Sequence, residues 1–186
     1  MKDHRPEHCS RLLQRSLQGD VPSTREITIL AYEDMRRQAR RMLGAAAGTI
    51  DATALVHDAY LRLIDQRQQD WRSRSHFAAI SSTVLRRVLI DLLRAQGRRR
   101  ARETRLSAKD ELAEQNPNGL DLLDLETALQ EFEVLDQQAA RIVELRFFGG
   151  LTVREIADEL ELPPSTVQDT WTFARSWLGR RLGNKT

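Results

Sequence analysis

The chain has 186 residues, with 29 lysines and arginines against 27 aspartates and glutamates, a formal net charge of +2 and 5% aromatic residues. That length holds one medium domain or two small ones. Abundant Ala, Leu, Arg, Glu and Gln favour helix, and no apolar run approaches the roughly 20 residues of a membrane-spanning helix. The single cysteine, Cys9, excludes an internal disulfide, and the N-terminus MKDHRPEHCSRLLQ lacks the apolar core of a signal peptide. An all-α cytoplasmic protein is expected, with no membrane partner.

Residues 9–18 read as a short helix ended by Gly19-Asp20. Pro22-Ser23-Thr24 opens a longer one, with Ser23 or Thr24 as its cap and Glu26 in its first turn. Ile27, Leu30, Ala31, Met35, Ala39 and Met42 recur at helical spacing and predict its buried face, and residues 44–48 break it. A third helix is expected over 52–67, with Leu55, Val56, Ala59, Leu63 and Ile64 inward. Residues 70–75 form a polar turn that carries Trp71. A fourth helix follows over 76–98, with Phe77, Ile80, Val84, Val88, Leu89 and Leu92 as its buried stripe.

Charge is unevenly spread. Residues 62–105 hold twelve arginines and four acids, a net of +8, against +2 for the whole chain. Positive charge concentrated on one element is the footprint of a polyanion-binding surface. Asn116-Pro117-Asn118-Gly119 is a loop signal, and residues 101–120 read as a flexible linker. Beyond it residues 121–182 hold six arginines and twelve acids, a net of −6, so the second half does not bind nucleic acid by bulk charge.

In that half Leu122, Leu125, Leu129 and Phe132 make one helical face. Asp136 is placed to cap a helix whose inner side is Ala139, Ile142, Val143 and Phe147, and Gly149-Gly150 stop it. Thr152-Val153-Arg154-Glu155 fits a capping box. Ile156, Ala157 and Leu160 precede the turn Glu161-Leu162-Pro163, and Pro164 suits the first position of a last helix. Val167, Trp171, Ala174 and Leu178 form that helix's inner face. Ser165, Gln168, Asp169, Thr172 and Arg175 form its outer one. The pattern is that of a helix-turn-helix, with an ordinary helical hairpin as the alternative.

These motifs carry a family resemblance. DATALVHDAYLRL resembles region 2.2 of bacterial extracytoplasmic-function (ECF) sigma factors, HFAAISSTVLRRVLIDLLRAQGRRRA resembles regions 2.3 and 2.4, and LTVREIADELELPPSTVQDTWTFARSWL resembles region 4.2. The resemblance implies two small helical domains joined by a linker. Residues 1–100 would dock core RNA polymerase and read the −10 element, residues 101–120 would link, and residues 121–186 would read the −35 element. Promoter DNA and core polymerase are the implied partners of a chain that is a monomer when free. A stand-alone helix-turn-helix regulator is the alternative. No phosphate loop, nucleophile motif or zinc spacing points to an enzyme or a cofactor, and His4, His8 and Cys9 make a weak metal constellation.

The resemblance and the chemistry together give the site. Unpaired bases need aromatic platforms and a cationic groove, which selects Trp71 and His76, with Phe77 read as core. Arg86, Arg87 and Arg94 are candidates for phosphates, while Arg98, Arg99 and Arg100 form a basic end. Ser165, Thr166, Gln168 and Thr172 have the donors and acceptors a groove-reading helix needs, with Arg175 towards a phosphate. Asp169 and Thr170 stand where similar factors are basic. Asp58, Arg62 and Asp65 are expected to meet polymerase. Similar factors start that docking helix with an acidic pair, as in Asp-Ala-Glu-Asp, where this chain reads Asp51-Ala52-Thr53-Ala54. A phosphate on Thr53 would restore the charge, as the resemblance to a subgroup associated with serine/threonine kinases implies. Thr49 is the weaker candidate. Thr53 as a simple helix-start residue is the other reading.

Overall fold

The structure is a computed structural model and describes residues 15, 20–44, 50–65, 73–106 and 122–183. Among these residues it contains helices and no strand. The expected helix over 9–18, the His4–His8–Cys9 group, Trp71 and the Asn116–Gly119 loop lie outside them, apart from Arg15.

The first helix, α1, spans Val21–Leu43, one turn earlier than its polar residues suggest. Asp20 is the N-cap residue and makes no side-chain cap bond, so Ser23 and Thr24 lie inside the first turn rather than ahead of it. Pro22 explains the shift, because its fixed φ and missing N–H suit the first helical positions. Gly44, at φ 40°, ends α1 by returning its N–H to the Arg40 carbonyl. Helix α2 spans Ala52–Asp65, and the Asp51 carboxylate caps it by accepting from the Thr53 N–H at 2.9 Å. Of the expected span 52–67, residues 66 and 67 lie outside the described residues.

Helix α3 spans Arg74–Leu106, 33 residues or about 50 Å. It begins where the Ser73 hydroxyl accepts from the His76 N–H at 3.0 Å and runs on into the segment read as linker. Its middle is covered on more than one side, which is why Ser81, Ser82 and Leu85 are buried beside the expected Val84, Val88 and Leu89. The buried Ser81 hydroxyl donates to Gln38 Oε1 at 2.9 Å, and Gln38 Nε2 donates to the Ala78 carbonyl at 3.1 Å. The small Ser81 and the satisfied Gln38 amide let α1 lie close to α3 without leaving a polar group unpaired.

Helix α4 spans Leu122–Leu135 and α5 spans Gln137–Val143, capped by the Asp136 side chain at the Ala139 N–H. A π-helical turn, Glu144–Gly149, continues α5. Its wider winding moves the register forward. Leu145 and Phe148 are therefore buried, and Phe147, expected inside, is 48% exposed. Gly150 at φ 70° stops the turn. Helix α6, Val153–Leu160, starts with the Thr152–Glu155 capping box, and α7 spans Pro164–Gly183 after a turn in which Glu161 takes φ 54°. The end of α7 is tied to α4 by a two-bond contact from Arg181 to Glu131, at 2.6 and 2.7 Å, which raises the Arg181 pKa.

The halves on either side of residues 107–121 are in contact. One apolar cluster joins Met35, Leu55 and Leu89 to Leu125, Phe132 and Phe148, and a second places Ala79 with Ile142, Leu145, Ile156 and Val167. The π-helical turn and α6 lie along α3.

Candidate nucleic-acid and polymerase interface

Four residues of α3, Arg87, Asp91, Arg94 and Arg98, follow one another at intervals of four, three and four. That spacing sets them on one face of the helix, and all four are exposed. Arg99 and Arg102 extend the cationic surface towards the C-terminal end. Arg87 and Arg94 therefore stand where a phosphate backbone can reach them. His76 is half-buried at the first turn of α3. Phe77 packs against the larger apolar cluster, in keeping with its reading as core.

Arg86 is different. Its side chain is 16% exposed and faces the second half. Nε and Nη2 donate to the two oxygens of Glu126 at 2.9 and 3.3 Å, and Nη1 donates to Glu144 at 3.3 Å. The guanidinium lies 5.6 Å from the centroid of the Phe148 ring. Glu144 also accepts from Arg141 at 2.5 Å, and Arg141 donates to the Thr83 hydroxyl at 3.0 Å. Two arginines and two glutamates thus close a charge-balanced network between α3 and the second half, beside a cleft of 490 Å³ lined in part by Arg87, Glu133 and Gln137. In this arrangement Arg86 is committed to carboxylates rather than open to phosphate. Nothing in the sequence signals it, because the partners lie 40 and 58 residues away.

A second polar cluster was also not legible in the sequence. Asp34 holds Arg74 at 2.9 Å and pairs with Arg37, while Arg41 donates to the Gly149 carbonyl at 2.8 Å. Burial, and then the neighbouring charges of Arg37 and Arg74, lower the Arg41 pKa. These groups line a cleft of 240 Å³ where the end of α1, the start of α3 and the Gly149–Thr152 turn meet.

On α2, Asp58, Leu61 and Arg62 are exposed together. Arg62 pairs with Asp91 of α3 at 3.1 Å, and both side chains are more than half exposed, so the pair contributes at most about 1 kcal/mol and is easily exchanged for another partner. Asp65 is the last described residue of the helix. Thr53 is exposed in a first turn that contains no acidic residue.

On α7, Ser165, Thr166, Gln168, Asp169, Thr172 and Arg175 are all exposed, while Val167, Ala174 and Leu178 are buried. The Thr172 hydroxyl donates to the Gln168 carbonyl at 2.9 Å, which leaves it free to accept. Ala157 and Val167, both buried in the second apolar cluster, lie where α6 and α7 pack. Among the described residues no three His, Cys, Asp or Glu side chains gather as metal ligands, and no helix is long and apolar enough to cross a membrane.

Comparisons with known proteins bear on this arrangement. A model of the ECF sigma factor family matches residues 6–184. No curated protein matches the chain. Among solved structures, the sigma factor RpoE of Bartonella quintana, in complex with the anti-sigma factor NepR, is similar at 18% identity and a TM-score of 0.39, over 88% of this chain and 98% of that one.

Proposed function

Because the chain belongs to the ECF sigma factor family over residues 6–184, we propose that it binds core RNA polymerase in the cytoplasm and directs initiation at promoters of defined sequence. It is an initiation factor rather than an enzyme. Residues 1–100 serve as the polymerase-docking and −10-reading domain, with Asp58, Arg62 and Asp65 of α2 towards polymerase. Residues 121–186 serve as the −35-reading domain, with α6 and α7 as a helix-turn-helix. The 101–120 segment acts as the linker from the point where α3 ends.

The observation that carries this reading, beyond the family match, is the exposed cationic face of α3. Arg87 and Arg94 contact phosphates, which set affinity without reading sequence, and Trp71 and His76 supply the platform for unpaired bases. The acidic second half reads DNA through Ser165, Thr166, Gln168 and Thr172 with little help from bulk charge, so it depends on polymerase to hold it on promoter DNA. Thr53 is the target of a serine/threonine kinase, whose product restores negative charge at the polymerase-facing start of α2. The test is transcription reconstituted from purified core polymerase. Promoter-specific transcripts that need this protein are expected, with weak binding of free duplex. Tight sequence-specific duplex binding without polymerase would instead make it a stand-alone regulator.

A further inference from the structure

The carboxylates on Arg86 offer what a nucleic-acid backbone would offer it. Glu126 presents two oxygens to Nε and Nη2 in the forked geometry that a guanidinium also uses for phosphate. Glu144 adds a second negative charge on Nη1. Both acids are 8% exposed and both belong to the second half, whereas Arg86 belongs to the most basic element of the first. Arg141 and Thr83 add a further bond across the same junction. Water returns to all these ions when the halves part, so such a network sets the arrangement of the halves more than it adds stability.

We propose that Glu126 and Glu144 are an internal phosphate mimic: they latch the second half onto α3, occupy Arg86, and withhold it from DNA until the halves separate. A polyanion competes with the latch for Arg86, and salt weakens both contacts. Separation also uncovers the apolar side of α3 around Ala79, which lies in one cluster with Ile142 and Leu145, so the open form is favoured when a protein partner covers that surface. Only this last step rests on the reading of the chain as a polymerase-binding factor.

The junction contains its own test. A Cβ on Gly149 would stand 3.8 Å from Ser82 Cβ, a separation typical of disulfides. It would also meet the end of the Leu151 side chain at 2.8 Å, which must shift to admit it. Ser82→Cys with Gly149→Cys, in a chain carrying Cys9→Ser, therefore makes a lock that oxidation closes and dithiothreitol opens. The oxidised form should bind a single-stranded DNA oligonucleotide and core polymerase about tenfold more weakly than the reduced form, since a closed fraction lowers apparent affinity in proportion. Glu126→Gln with Glu144→Gln, without the lock, should bind the oligonucleotide about tenfold more tightly than the parent. Its salt slope should be steeper by about 0.7, one more phosphate being neutralised. Equal binding by oxidised and reduced forms overturns the latch, as does failure of the two thiols to pair. If oxidation weakens DNA binding while neither form binds polymerase, the latch stands and the sigma-factor reading falls.

Discussion

The Arg41 guanidinium donates to the carbonyl of Gly149 at 2.8 Å and so joins the end of α1 to a turn 108 residues further along the chain. Glycine makes the approach possible at the next position, Gly150, where a Cβ would lie 2.4 Å from Arg41 Cζ on a backbone at φ 70°. The two glycines end the π-helical turn and receive the α1 arginine, which burial holds at a lowered pKa among Arg37 and Arg74.

Gly150→Ala should therefore destabilise the protein by about 1–3 kcal/mol, combining left-handed backbone strain with displacement of Arg41. A urea titration reads this as a lower midpoint at an unchanged slope. A midpoint equal to the parent's would mean that Arg41 and the turn do not hold one another in solution.

Thr152→Ala removes a cap whose hydroxyl accepts from the Glu155 N–H at 3.2 Å while Glu155 accepts from the Thr152 N–H at 2.8 Å. The expected cost is about 1 kcal/mol, again by urea titration. Because α6 underlies α7, promoter binding by the holoenzyme should fall with it. Loss of promoter binding at unchanged stability would give Thr152 a direct role at the DNA.

Features of this kind were legible because they are local. The Thr152–Glu155 box, the Asp136 cap and the Pro164 helix start each need only three or four neighbouring residues, and each stands where the sequence predicts it. The stripes of α1 and α2 were legible for the same reason, since Met35, Ala39, Met42, Leu55, Val56 and Ala59 obey one helical period and are buried. Phe147 was misplaced because a π-helical turn changes that period with no mark in composition. The environment of Arg86 was hidden because an arginine in a basic helix looks alike whether it meets phosphate or a distant glutamate. Charge density reports the element and not the partner of each charge. Gln38, Asp34 and Arg41 escaped notice in the same way, as polar residues whose partners come from other helices.

Arg87→Ala with Arg94→Ala should weaken the promoter complex of the holoenzyme and flatten its salt dependence by nearly one unit of slope per lost phosphate contact on duplex, about 0.9 each. Both residues are exposed on one face of α3, so the unfolding midpoint should hardly move. Promoter complexes measured across a salt series decide the matter, and an unchanged slope removes these residues from the DNA-facing surface.

Thr53 stands in the first turn of α2, exposed, with its N–H already accepted by the Asp51 carboxylate at 2.9 Å. A phosphate there would add about −1.5 to −2 charges and three acceptor oxygens at a helix start, where the dipole favours anions. It would also repel Asp51, so the cap is expected to pass from the carboxylate to the phosphate without loss of the helix. Polymerase affinity should rise on phosphorylation, as oxygens able to engage arginines become available on a turn that has no acidic residue of its own. Thr53→Ala should abolish that gain and leave stability almost unchanged, because Asp51 rather than the threonine hydroxyl makes the cap bond. Thr53→Glu should restore only part of it, having one charge and a planar head. The measurement is the affinity of unmodified and phosphorylated protein for core polymerase, side by side. Equal affinities, with Thr53→Ala fully active in cells, would leave Thr53 as nothing more than a helix-start residue.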